Sequence, residues 1–63
     1  MEKIWTLKII MQLDNAAFEN NRGGEIARIL RHYADKIEDD PDAEGKEGLY
    51  DANGNKVGVA VIT

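Results

Sequence analysis

Residues 49–63, LYDANGNKVGVAVIT, decide the fold. Asn53-Gly54 between two extended runs is the preferred sequence for a two-residue type I′ turn, so this stretch predicts a β-hairpin. That turn would set Ala52 against Asn55, Asp51 against Lys56 as an opposite-charge pair, and Tyr50 against Val57. The second arm, Val57-Gly58-Val59-Ala60-Val61-Ile62, is apolar on both sides, which suits the middle of a sheet better than its edge. Working back toward the N-terminus, the segment 40–48 is acidic and carries Pro41, Gly45 and Gly48, so it is expected to be a mobile loop.

Ahead of that loop, Ile26, Ile29, Leu30, Tyr33 and Ile37 recur at helical spacing, with Ala27 and Ala34 between them. Glu25, Arg28, Arg31, His32, Asp35, Lys36 and Asp39 fall on the opposite arc, which predicts an amphipathic helix over 22–39. Asn20 or Asn21 is placed to cap it, and Phe18 to tuck beneath its first turn. Over 3–14 the odd positions Trp5, Leu7, Ile9, Met11 and Leu13 alternate with a mixed set, Ile4, Thr6, Lys8, Ile10 and Gln12. This period of two predicts a strand with its odd side in the core.

The predicted fold is α+β, with the order β-α-β-β in one domain. Alternating directions with short connections make every pairing antiparallel if the last strand lies in the middle, giving sheet order 1-3-2 with the helix on one face. The other face, with Ile4 and Ile10, is then uncovered and calls for a partner. A chain of 63 residues without cysteine has a thin core and no disulfide to support it, so self-association, most simply a homodimer, is expected.

A net charge of −4 repels phosphate backbones and anionic membranes, so nucleic acid is a disfavoured partner. Lys8, Gln12 and Asp14 break the apolar N-terminal run far short of a bilayer span, and a cytoplasmic protein with no membrane role is expected. Serine and cysteine are absent, and His32 is the single histidine, on the polar arc of the helix. Those absences remove the usual nucleophiles, so the chain reads as a non-enzyme with no catalytic residue and no cofactor.

Asp40, Asp42, Glu44, Gly45 and Asp51 echo the spacing of a calcium-binding EF-hand loop. Pro41 at the second position, Asp51 in place of a bidentate Glu, and the absence of a following helix argue for a solvated acidic loop instead, with no metal. Arg22-Gly23-Gly24 lacks the remaining residues of a phosphate-binding loop and reads as a flexible start to the helix. Arg28, Arg31 and Lys36 form a basic stripe interleaved with Glu25 and Asp35, where Glu25 with Arg28 and Arg31 with Asp35 are expected ion pairs. The residues placed as candidates for partner contact are Ile4, Ile10, Arg28, Arg31, His32, Asp40, Asp42 and Glu44.

Three stretches together, LDNAAF at 13–18, GEIARILRHYADKIE at 24–38 and GLYDANGNKVGVAVI at 48–62, resemble short proteins encoded by bacteriophages and other mobile elements. That resemblance implies a small inhibitor of host defence, of the anti-CRISPR or anti-restriction type, acting in the host cytoplasm by binding a protein surface. It leaves open two alternatives: DNA mimicry through the acidic loop, and a nucleic-acid accessory role for the basic helix face.

Overall fold

The computed structural model describes residues 3–63. Strand β1 (Leu7–Met11) leads through a short 3₁₀ turn at Ala16–Phe18 into helix α1 (Arg22–Glu38), then strands β2 (Gly45–Tyr50) and β3 (Lys56–Ile62). All pairings are antiparallel and the sheet order is β1-β3-β2, as the hairpin and helix signals predict. β3 occupies the middle because its apolar residues on both sides suit a strand flanked by two others.

The helix begins where the sequence signals it. The side chain of Asn21 accepts the Gly24 amide at 3.0 Å, satisfying one donor of the first turn. Phe18 is buried just ahead of it, in one cluster with Ile29, Tyr33, Leu49, Val57 and Ala60. Met11, Ile26 and Ile37 pack around that cluster.

Three local expectations are corrected. The first strand is shorter than 3–14, although Thr6 and Thr63 exchange two backbone hydrogen bonds and the Gln12 amide donates to Val57, so pairing reaches one residue beyond each end. The acidic loop is also shorter than 40–48, because Gly45, Lys46, Glu47 and Gly48 pair with β3. The hairpin turn is not type I′. That turn needs positive φ at both central residues, and only Gly54, at 82°, has it.

Instead the Gly54 amide donates to the Asp51 carbonyl and the Asp51 amide to the Asn55 carbonyl, which makes a three-residue loop ending in a left-handed glycine. Asp51 causes the change. Its buried carboxylate accepts the amides of Asn53 and Asn55 at 2.9 and 2.8 Å, so it turns inward and forms no pair with Lys56. The register consequently slips near the turn. Leu49 faces Gly58 while Tyr50 faces Lys56, leaving Val57 as an extra residue on β3. The bulge directs Val57 into the same core as Ala60, three residues on, which an unbroken strand would not do.

The largest departure concerns the helix and β1. Five odd residues of the first strand are expected in the core, but Trp5, Leu7, Ile9 and Leu13 remain between 37% and 52% exposed, and Met11 alone packs against the cluster. The cause is width. A helix is about 10 Å across with its side chains, and strands lie about 4.8 Å apart, so one helix covers about two strands. Here α1 packs over β2 and β3, where Ile29 and Tyr33 meet Leu49, Val57 and Ala60, and the odd side of β1 projects beyond it. The molecule is correspondingly elongated, 46 × 20 × 17 Å, with a radius of gyration of 13.0 Å. A compact chain of this length has about 11 Å.

Candidate functional site

The eight residues singled out in the sequence fall in three separate places. Ile4 and Ile10 lie along the first strand and its N-terminal extension, 86% and 65% exposed. Arg28 and His32, with Lys36 a further turn on, line a small groove between α1 and β2, together with Tyr33, Leu49 and Tyr50. Arg31 is exposed on the helix but lies outside that groove, and it forms no ion pair with Asp35. Asp40, Asp42 and Glu44 occupy the connection from α1 to β2, where Asp42 and Glu44 flank a pocket shared with Trp5, Pro41 and Ile62.

The calcium-loop spacing has no structural counterpart. Gly45–Tyr50 is an extended strand, and it carries Asp51 to the hairpin, where the carboxylate is consumed by Asn15, Asn53 and Asn55. Among the described residues no group of three or more His, Cys, Asp or Glu side chains is gathered as a metal site.

The densest polar cluster joins the start of α1 to the hairpin. Arg28 grips Glu25 with two bonds, Nε to Oε1 at 2.9 Å and an Nη to Oε2 at 3.0 Å, and also donates to the Tyr50 carbonyl at 3.2 Å. Glu25 Oε2 accepts the Ala52 amide at 2.7 Å, and Asn15 donates to Asp51 at 3.0 Å. The bond from Arg28 holds the Glu25 carboxyl below its ordinary range, with help from the Ala52 amide and against the opposing effect of burial. Asp51 is held low chiefly by the Asn55 amide, again against burial, with Asn15 and Asn53 contributing. The guanidinium of Arg28 is pushed up by Glu25. Every charge here already has a partner, and no buried side-chain polar atom among the described residues lacks one. This cluster is a clasp between helix and hairpin, with no free group aimed at a ligand.

Most of the exposed apolar surface lies elsewhere, on β1 and the residues flanking it. Ile4, Trp5, Leu7, Ile9, Ile10 and Leu13 keep between 37% and 86% of their surface in contact with solvent, and they lie along β1 and its two flanks at the sheet edge. Such a run on an edge, with an open row of backbone donors and acceptors, is a template for further pairing. Lys3 Nζ sits 3.9 Å from the centre of the Trp5 ring, placing a cation at the head of the strip.

Sequence reasoning found the Ile4 and Ile10 side of this surface and missed the other, assigning Trp5, Leu7, Ile9 and Leu13 to the core. The signal was available: a single helical stripe is too narrow for three strands. No helix among the described residues is long and apolar enough to cross a membrane. No protein-family model, curated protein or solved structure matches this chain.

Proposed function

We propose that this chain is a non-enzymatic protein-binding module that docks through its first strand. The observation that carries the reading is the apolar exposure of β1 on both sides, at an edge whose backbone is open. The clasp around Glu25 and Asp51 supports it from the other direction, since the most concentrated polar groups in the molecule are engaged in holding the hairpin to the helix. In the setting that the phage resemblance implies, the module is an inhibitor of host defence, of the anti-CRISPR or anti-restriction type, acting by surface binding.

DNA mimicry ranks below it. The carboxylates Glu38, Asp39, Asp40, Asp42 and Glu44 form one run at the end of α1 and along the connection after it, whereas Glu47 pairs with Lys36 at 2.9 Å, so this set is a single run and not a broad rigid surface.

The test places a photo-reactive amino acid at Ile10, with a control at Arg31 on the helix, in protein mixed with host lysate. Protein adducts, of any identity, at position 10 well above those at 31 are the expected outcome. Equal or absent adducts at both positions would remove the first strand as a docking surface.

A further inference from the structure

Resting on that reading of β1, we propose that the occupant of the strand is a second copy of this chain, paired edge to edge and antiparallel about a twofold axis at Ile9. The backbone sets the geometry. Mutual bonds between Thr6 and Thr63, and the Gln12 amide on Val57, direct the even residues of β1 toward β3. By alternation the amides and carbonyls of Leu7, Ile9 and Met11 point to the open edge. Ile9 is the midpoint of Leu7–Met11, so pairing centred there matches each outward donor with an acceptor of the second copy: Ile9 with Ile9, and Leu7 with Met11 in both directions.

Side chains agree with that register. A twofold axis perpendicular to the sheet keeps each face on its own side, so paired residues share a face. On the helix side Leu7 lies beside Met11 of the second copy, Ile9 beside Ile9, and Trp5 beside Leu13. On the far side Lys8 falls beside Ile10, and the two Lys8 ammonium groups are not opposed. The net charge of −4 offers little resistance here, because residues 3–13 contain no carboxylate and carry only Lys3 and Lys8 as charges.

The two edges of the sheet also differ. β2 is guarded by Lys46 and Glu47 and by Arg28, which occupies the Tyr50 carbonyl. β1 has no proline and no bulge, and only Lys8 interrupts its apolar run. The area suffices as well. At about 200 Å² for a large exposed apolar side chain, the exposed fractions of Ile4, Trp5, Leu7, Ile9, Ile10 and Leu13 amount to roughly 650 Å² per protomer. A stable interface takes about 800 Å² per partner, little more than half of it apolar, so the strip supplies that share when about 70% of it is covered. The product is one six-stranded sheet, within the usual size range.

Sedimentation of the wild-type chain is the first test, with a dimer of twice 7.0 kDa expected. The chain has no cysteine, so single cysteines report the register cleanly. Paired residues that exchange hydrogen bonds across antiparallel strands have Cα atoms about 5.5 Å apart, within disulfide reach. Under mild oxidation Ile9→Cys should cross-link to itself. Leu7→Cys and Met11→Cys should each stay uncoupled, because like positions lie about 14 Å apart, whereas their mixture should couple. A wild-type chain that sediments as a monomer up to millimolar concentration overturns the proposal, as does self-coupling that peaks at position 10 instead of 9. A monomer whose Ile10 probe captures a different protein rejects the second copy but leaves the docking strand standing, whereas a monomer that captures nothing removes both.

Discussion

Glu25, in the first turn of α1, accepts the backbone amide of Ala52, in the turn of the hairpin, at 2.7 Å, across 27 residues of chain. The same carboxylate is held by two bonds from Arg28. Ala52 itself is exposed and the bond is part-buried, so its amide can return to water, and what is lost is a hydrogen bond to a charged group, worth about 1.5–3 kcal/mol. Glu25→Ala should therefore lower the melting temperature by roughly 5–10 °C. Glu25→Gln keeps an oxygen for Ala52 and should lose less than half as much. Lys36→Ala breaks only an exposed bridge to Glu47 and should shift it by no more than about 2 °C. Thermal unfolding followed by circular dichroism ranks the three, and a Lys36 variant as impaired as Glu25→Ala would refute the clasp.

Acid should open the same clasp. Glu25 and Asp51 both titrate below their ordinary values in the folded chain, so the unfolded chain binds protons first as pH falls. Their stabilisation is complete above the ordinary carboxylate range, about pH 4 to 4.5, and is lost as pH drops from there through the depressed folded values. Melting temperature should be nearly flat from neutrality to about pH 5 and should fall below it. The double variant Glu25→Gln, Asp51→Asn should start lower and fall less steeply. Parallel curves for the two proteins would show that other carboxylates govern the acid limb.

Much of this was legible in the sequence, and most of the misses share a physical origin. Periodicity located the helix, and the apolar Val57–Ile62 run located the central strand, because both depend on side chains within one element. Asn21 and Phe18 were readable for the same reason: cap and staple act within a few residues. Glu25 was not. Its helical position assigns it to the polar arc, yet it is buried and bonded to the amide of Ala52, 27 residues along the chain. The inward turn of Asp51 is different, since Asn53 and Asn55 hold it from within the same turn and Asn15 only adds to them from a distance, whereas the exposure of Leu7 and Ile9 depends on where the helix comes to rest. The exposed apolar strip was thus half visible, through Ile4 and Ile10, and half hidden behind a packing width that no single element encodes.

The turn carries a test of its own. A type I′ turn would need left-handed geometry at Asn53, where alanine is strained, but here only Gly54 is left-handed. Asn53 contributes its backbone amide to Asp51, and any L-residue supplies that. Asn53→Ala should therefore change stability by less than about 0.5 kcal/mol, as an ordinary surface substitution does. Gly54→Ala should cost about 1–2 kcal/mol, the strain of one left-handed residue. Urea unfolding distinguishes the two turns, since a costly Asn53→Ala would restore the type I′ geometry.

Two glycines should respond to the same substitution with opposite signs. A Cβ on Gly58 would be driven onto the Ile10 carbonyl oxygen and would lie 2.9 Å from Met11 Cα. Both obstacles are backbone of β1, which cannot rotate aside as a flexible side chain would. Gly58→Ala should thus push β1 from β3 and cost about 1–3 kcal/mol, the range for overpacking. Gly23, in the first turn of α1, has nothing within 4 Å of the added carbon. There alanine only reduces the freedom of the unfolded chain, so Gly23→Ala should stabilise by about 0.4–1 kcal/mol. Because β3 is the strand of its own chain that holds β1, through the amides of Lys8 and Ile10, the Gly58 variant should also lose amide-exchange protection selectively at those two residues, while α1 keeps its own. Uniform loss across the whole chain would mean that the first strand is integral to the core and not, as its exposure implies, an arm laid along its edge.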